Sequence, residues 1–235
     1  VMESGRVPLH AAVESGDEEM VKLLFAHKAE MDQVTLRATA AVREGDPFIE
    51  AGQTPVFLAA RNGHLSIARY LCSLKADAGR ALPETGGTAL HMAARLGHTE
   101  MVRLLIGEGV NVNAMLFTDN KLTPLLTASS CGNTACVQML CDARAGVNMM
   151  SGDLNATPMY LAAAQGHADV VKVLHKAKAD LNKASVTQAT PLYMAALYGH
   201  VEVVRILCQE RGEVDTEACV NSRSPLLVAA KGGHL

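Results

Sequence analysis

One stretch recurs along this chain at a nearly constant interval, and that recurrence restricts the possible folds more than any other feature. The cleanest copy is residues 190–215, TPLYMAALYGHVEVVRILCQERGEVD. The Thr190 hydroxyl can cap a helix, and Pro191 stands at the first helical position, where its missing N–H would be unpaired anyway. Good helix formers follow over 192–198, and the small pair Ala195 and Ala196 lets a neighbouring helix approach closely. Gly199 ends that helix. A second is expected over 201–209, where Val203, Val204, Ile206 and Leu207 recur at helical spacing and Glu202 and Arg205 turn to water. Neither helix is long enough to be stable alone, so the unit must stack on copies of itself.

The copies begin at Thr54 (TPVFLAARNGHLSIARYL), Thr88 (TALHMAARLGHTEMVRLL), Thr123 (TPLLTASSCGNTACVQML) and Thr157 (TPMYLAAAQGHADVVKVL). Rougher ones begin at Val7 (VPLHAAVESGDEEMVKLL) and Ser224 (SPLLVAAKGGHL). The turn glycines Gly63, Gly97, Gly132, Gly166, Gly199 and Gly233 lie 34, 35, 34, 33 and 34 residues apart, whereas Gly16 to Gly63 spans 47. These marks divide the chain into repeat 1 over 1–32, an irregular insertion and finger over 33–53, and repeats 2 to 6 over 54–87, 88–122, 123–156, 157–189 and 190–223. A truncated repeat 7 occupies 224–235.

The TPLH-like opening, the AA-x-x-GH corner, the VV-x-LL second helix and the endings GVNVN (109–113), AGVN (145–148) and KADLN (178–182) resemble the ankyrin repeat over nearly the whole chain. The resemblance implies an all-α repeat solenoid of helix pairs with projecting β-hairpin fingers. It also implies a concave face lined by the first helices and the fingers.

Composition agrees. Aromatic residues make up 3%, with no Trp, which suits flat helix-to-helix contacts. A net charge of -3 supplies no long-range attraction for nucleic acid, so no nucleic-acid partner is expected. No apolar run of 18 residues and no signal-peptide pattern occurs, so direct membrane insertion is not expected and an intracellular, cytoplasmic setting is. Both ends look cut, and a longer natural chain is expected because solenoids need polar terminal caps.

Six cysteines invite a disulfide or zinc reading. Cys72, Cys141 and Cys208 share one place near the end of the second helix, and Cys136 stands where Val203 stands in its own repeat. All read as reduced packing residues, and the spacings are unlike C-x-x-C zinc pairs. The histidines are positional too. His64, His98, His167, His200 and His234 follow the corner glycine, while His10 and His91 stand in the TPLH slot. In repeats of this kind they bond across corners and fingers, and one per layer does not converge on a metal. Neither cofactor nor metal is expected.

No phosphate loop, dinucleotide fingerprint, H-E-x-x-H or G-x-S-x-G elbow occurs, so the chain is not read as an enzyme. The expected function is protein–protein recognition, as a scaffold or adaptor. Alternatives are a fixed structural subunit of a larger complex, or the interaction domain of an enzyme whose catalytic part lies elsewhere. Nothing indicates self-association. Partner contacts are expected at the two places between the AA pair and the corner glycine, which face the groove in ankyrin-like arrays. In order they are Glu14 and Ser15, Arg61 and Asn62, Arg95 and Leu96, Ser130 and Cys131, Ala164 and Gln165, Leu197 and Tyr198 beside Tyr193, and Lys231 and Gly232. The early groove thus reads as basic and polar, the later one as apolar.

The fingers vary more than the helices. Gly52, Gly86 and Asn155 suit a left-handed turn, from which Lys121, Gln188 and Ser222 depart. Met115, Leu116 and Phe117 in one stretched finger, and Met149 and Met150 in another, either pack on neighbouring fingers or form an apolar ridge. In the insertion, 34–43 is expected to form a short helix. Phe48 and Ile49 there are a further candidate contact, since long irregular loops inside compact repeats are often functional.

Overall fold

The structure, a computed structural model, describes residues 8–30, 34–35, 52–210, 225, 229–230 and 232. The chain divides into two compact units, Val1–Thr118 and Asp119–Leu235. The first holds three helix pairs: α1 (Pro8–Ser15) with α2 (Glu18–Ala26), α3 (Pro55–Asn62) with α4 (Leu65–Ser73), and α5 (Ala89–Leu96) with α6 (Thr99–Gly107). The second holds α7 (Pro124–Cys131) with α8 (Thr134–Asp142), α9 (Pro158–Ala164) with α10 (Ala168–Lys176), and α11 (Pro191–Leu197) with α12 (Val201–Gln209).

The inner helices α3, α5, α7, α9 and α11 each start where a threonine hydroxyl takes a free backbone N–H. Thr54, Thr157 and Thr190 accept from Phe57, Tyr160 and Tyr193 at 3.1, 3.1 and 3.2 Å. Thr88 and His91 cap one another reciprocally. Each inner helix ends at a left-handed glycine, as at Gly63 (φ 75°) and Gly166 (φ 78°), after which the chain reverses into the outer helix. A side chain at either place would be strained, and a Cβ on Gly166 would lie 2.6 Å from the His200 ring of the next repeat.

Within each unit, inner helices pack on inner and outer on outer, α1–α3–α5 beside α2–α4–α6, and α7–α9–α11 beside α8–α10–α12. The core is the seam between the rows. It is filled by Phe57, Leu58, Leu71, Leu90 and Leu105 in the first unit, and by Leu126, Leu140, Met159 and Leu174 in the second, each 0 or 1% exposed. Apart from Phe57 these are aliphatic contacts of a nearest-neighbour stack.

The corner histidines join consecutive repeats. The Nε2 atoms of His64, His167 and His200 lie 3.2, 3.1 and 3.0 Å from the carbonyls of Glu14, Ser130 and Ala164, one repeat earlier. Their rings lie over the preceding corner glycines Gly16, Gly132 and Gly166. In the fourth repeat Asn133 stands in this place.

The fingers close as single tight turns, with no regular run of strand pairing among the described residues. Ser151 N–H donates to Ala156 O at 2.9 Å, and Ser185 N–H to Ala189 O at 3.0 Å. Lys121 (φ 44°) and Gln188 (φ 61°) take the left-handed conformation although their side chains disfavour it, because the turn geometry is common to the described fingers, with Gly52, Gly86 and Asn155 at the same place. Ser222 lies outside the described residues. The same conformation recurs just past the outer helices, at Lys28, Lys75, Arg144 and Lys178, where the third repeat carries Gly109. Neighbouring fingers join by main-chain bonds. Phe117 N–H donates to Thr85 O in the first unit, and Val186 N–H to Leu154 O at 3.1 Å in the second.

Candidate protein-binding face

In the first unit, α1, α3 and α5 bring Glu14 and Ser15, Arg61 and Asn62, and Arg95 and Leu96 to equivalent places at their ends. Arg61 is already engaged. Its Nη2 donates to Glu14 Oε1 at 2.7 Å and its Nη1 to Gln53 Oε1 at 2.9 Å, with Arg61 and Glu14 side chains only 19% and 17% exposed. Asn62 Nδ2 reaches Glu14 O at 3.4 Å. Gln53 is itself held by Thr35, whose N–H donates to Gln53 O and whose hydroxyl accepts from Gln53 N–H, both at 3.1 Å. The two ends of the insertion are thus pinned beside Arg61. Arg95 is half-buried, while Leu96 is 47% exposed. Phe117 is 67% exposed, its ring over Gly86, while Leu116 beside it is buried.

In the second unit the equivalent places carry Ser130 and Cys131, Ala164 and Gln165, and Leu197 and Tyr198, with no charge among them. Gln165 is exposed, Leu197 is 37% exposed and Tyr198 55%. The Tyr198 ring lies 6.2 Å from that of His200. Tyr193 is buried in a cluster with Tyr160, Ala156 and Ala189, flanked by Leu161 and Met194, so it lies beneath the face rather than on it. Burial pushes the Tyr160 phenol up from its ordinary value, opposed by a hydrogen bond with Ser185. Leu154 and Val186, on consecutive fingers and joined through their backbones, are half-exposed, and Met150 is 38% exposed.

Phe48, Ile49, most of the helix expected over 34–43, and Lys231 lie outside the described residues. The described cysteines are free thiols. Cys72 and Cys136 are buried and Cys141 half-buried, but Cys208 is exposed, so the shared register place does not guarantee cover. Burial pushes the Cys72 and Cys141 thiols up to about 11. Among the described residues no cluster of His, Cys, Asp and Glu is arranged to hold a metal, and no helix is long and apolar enough to cross a membrane.

Sequence reasoning named Glu14 and Arg61 separately and missed that they pair. Their identical place in consecutive repeats, with opposite charge, was the available signal. Gln53, Leu154 and Val186 were also missed, because nothing local marks a residue that acts through the next finger or helix.

The family pattern described as ankyrin repeats (3 copies) matches residues 9–116, 115–185 and 175–235. The chain belongs to the ankyrin-repeat family. Among curated proteins it is similar to human protein phosphatase 1 regulatory subunit 27, 43% identical over 74 residues, 32% of this chain and 39% of that protein. The mouse counterpart is 41% identical over 78 residues, 33% of this chain and 42% of that protein. The aligned stretch therefore spans about two fifths of these relatives' length. Among solved structures, the ankyrin repeat domain of human ASB11 superposes with a TM-score of 0.80 at 23% identity, covering 95% of this chain and 92% of that one. The ankyrin repeat domain of Bcl-3, described as a unique member of the IkappaB protein family, gives 0.77 at 23%, covering 97% and 95%. At that identity the structures speak for the ankyrin fold alone.

Proposed function

We propose that this ankyrin-repeat chain is a non-catalytic recognition scaffold or adaptor that binds a protein partner on the inner faces and fingers of its repeat units. Ankyrin repeats are protein–protein interaction modules. The observation that carries the reading is the exposure of Leu96, Leu197 and Tyr198 at inner-helix places whose neighbours on the same helices are buried in the stack. Large side chains held out by a rigid scaffold are the kind that dominate interface energy. The regulatory-subunit name of the curated relatives supports a second reading, in which the chain is a stoichiometric part of an enzyme complex. Free, buried thiols suit a reducing compartment, and we place the protein in the cytoplasm.

The test takes a partner isolated on the intact chain and measures its binding kinetics to variants. Tyr198→Ala should speed dissociation about tenfold or more, and Arg95→Glu should slow association and alter its salt dependence. If these variants bind unchanged while Phe48→Ala and Ile49→Ala abolish binding, recognition belongs to the 33–53 segment. A partner that co-purifies one-to-one favours the fixed-subunit reading.

A further inference from the structure

In the second unit a cleft of about 390 Å³ lies between the ends of the outer helices α8 and α10. Its floor is aliphatic, with Ala145 buried and Val147, Val173 and Ala177 half-buried. Arg144 and Lys176 stand exposed at its rim, and among the described residues neither is in an ion pair. The one carboxylate in the lining, Asp142, accepts a hydrogen bond from Gln138 Nε2 at 2.8 Å. A small apolar floor is thus joined to an excess of positive charge. Two of these residues depart from their register. Val173 is the smallest side chain at its place, where α2, α4, α6, α8 and α12 carry Leu23, Tyr70, Leu104, Met139 and Ile206. Lys176 ends α10, whereas Ala26, Ser73, Gly107, Asp142 and Gln209 end the other outer helices, so the complement that a cation gives to a helix C-terminus is not a requirement of the place. Arg144 is ordinary for its own, which Lys28, Lys75 and Lys178 hold elsewhere. In the first unit a cleft of about 380 Å³ past α4 and α6 is lined by Asp77 and Glu108 and by no cation.

We propose that the α8–α10 cleft is a docking site, separate from the inner-helix face, for an acidic segment of a partner protein. One aliphatic side chain of that segment enters between Val147 and Val173, and carboxylates on either side of it meet Arg144 and Lys176. The charge selects the ligand: a guanidinium binds a carboxylate through two parallel hydrogen bonds, and an excess of like charge turns away basic segments. The shape selects a polypeptide over a free metabolite. A small molecule is held when about 70 to 90% of its surface is covered, which a cleft open to solvent between two helix ends does not provide. A segment anchored on both sides by the rest of its protein does not depend on such cover. The first unit's cleft, similar in size and opposite in charge, serves as the control within the same chain.

The experiment titrates the 235-residue chain with three capped hexapeptides, EELLEE, EEGGEE and KKLLKK, to about 1 mM while methyl resonances are followed by NMR. EELLEE should shift the methyls of Ala145, Val147, Val173 and Ala177, and bind at least about tenfold more tightly than either of the others. Val173→Met, which restores the side chain that α8 carries at this place, should weaken EELLEE by about tenfold with no change in melting temperature. Arg144→Glu with Lys176→Glu should abolish EELLEE binding and admit KKLLKK in its stead, a gain that a merely misfolded variant would not show. Several results overturn the proposal: no shift with EELLEE, shifts centred on Asp77 and Glu108, or equal binding of EEGGEE. Acetate or free glutamate that moves the same methyls at the same concentration also overturns it and assigns the cleft to small anions.

Discussion

The two units share a backbone plan and differ in what they present at the ends of their inner helices. The first carries Glu14, Arg61 and Arg95 where the second carries Ser130, Ala164 and Leu197. In the first unit, charge is largely turned inward. Glu14 and Arg61 are paired across consecutive repeats, with Gln53 on the other arm of the guanidinium. In the second, the same places are neutral, and Leu197 and Tyr198 project into solvent above a buried tyrosine pair. A register place therefore prescribes where a side chain stands, while its neighbour one repeat away decides whether it is available. Charge on an inner helix is poor evidence of a basic groove when the previous repeat supplies the counter-ion.

The largest expected effect tests whether each unit is a nearest-neighbour stack. Gly166→Val places a β-branched residue at φ 78° and drives its Cβ into the His200 ring. It should cost about 3 kcal/mol or more, from left-handed strain together with loss of the His200 bond to Ala164 O. Hydrogen exchange should show protection lost over α9–α12, falling off away from the substituted corner. Uniform loss along the whole chain would break the stack picture.

Next in size is a contrast between the faces. Arg61→Ala removes a charged hydrogen-bond partner from the partly buried Glu14 carboxylate and from the Gln53 amide, and should destabilise by about 1 to 3 kcal/mol in urea titration. Tyr198→Ala removes a half-exposed side chain and should cost less than about 0.5 kcal/mol. If the two cost the same, the distinction between an inward-paired first face and an outward-facing second face fails.

A smaller effect of opposite sign is expected at Ser129. It is 0% exposed, and its Oγ has no hydrogen-bond partner among the described residues. The equivalent places in the first unit hold Ala60 and Ala94. Ser129→Ala should stabilise by about 1 kcal/mol, seen as a higher urea midpoint with unchanged slope. A loss would mean the hydroxyl is satisfied in solution.

The smallest effect is a pH dependence shared by the units. Cys72 in the first and Cys141 in the second have thiols raised to about 11, by burial first and then by the nearby carboxylates of Glu108 and Asp142. The native state therefore keeps protons that the unfolded state releases above pH 9 or so. Unfolding then releases protons, and stability should fall as pH rises from about 9 to about 11 and be level in this term below that. Melting curves for the Cys72→Ala, Cys141→Ala double variant should show a shallower fall over that window. An identical slope would exclude these thiols as its source.

What the sequence by itself determined is the local part of the design. The threonine caps, corner glycines and helix spans follow from contacts within a few residues. The second helix expected over 201–209 is α12, Val201–Gln209, and the first, expected over 192–198, is α11, Pro191–Leu197. Period and capping chemistry suffice there, because the interacting atoms lie within one turn of each other. The histidine roles were also legible, since a residue recurring after most corner glycines serves the corner. Only the tertiary structure decided what depends on the next layer. Arg61 meets Glu14 47 positions away, His200 meets the Ala164 carbonyl 36 positions away, and Tyr193 packs on Tyr160 rather than facing solvent. Lys121 and Gln188 accept a left-handed backbone because the turn in which they sit imposes it. Met20 is exposed where Ile67 is buried, although both stand at the same place in their repeats. In each case the side chain's own sequence context is ordinary. The difference is which atoms a stacked neighbour sets against it, and that is not encoded within reach of a single repeat.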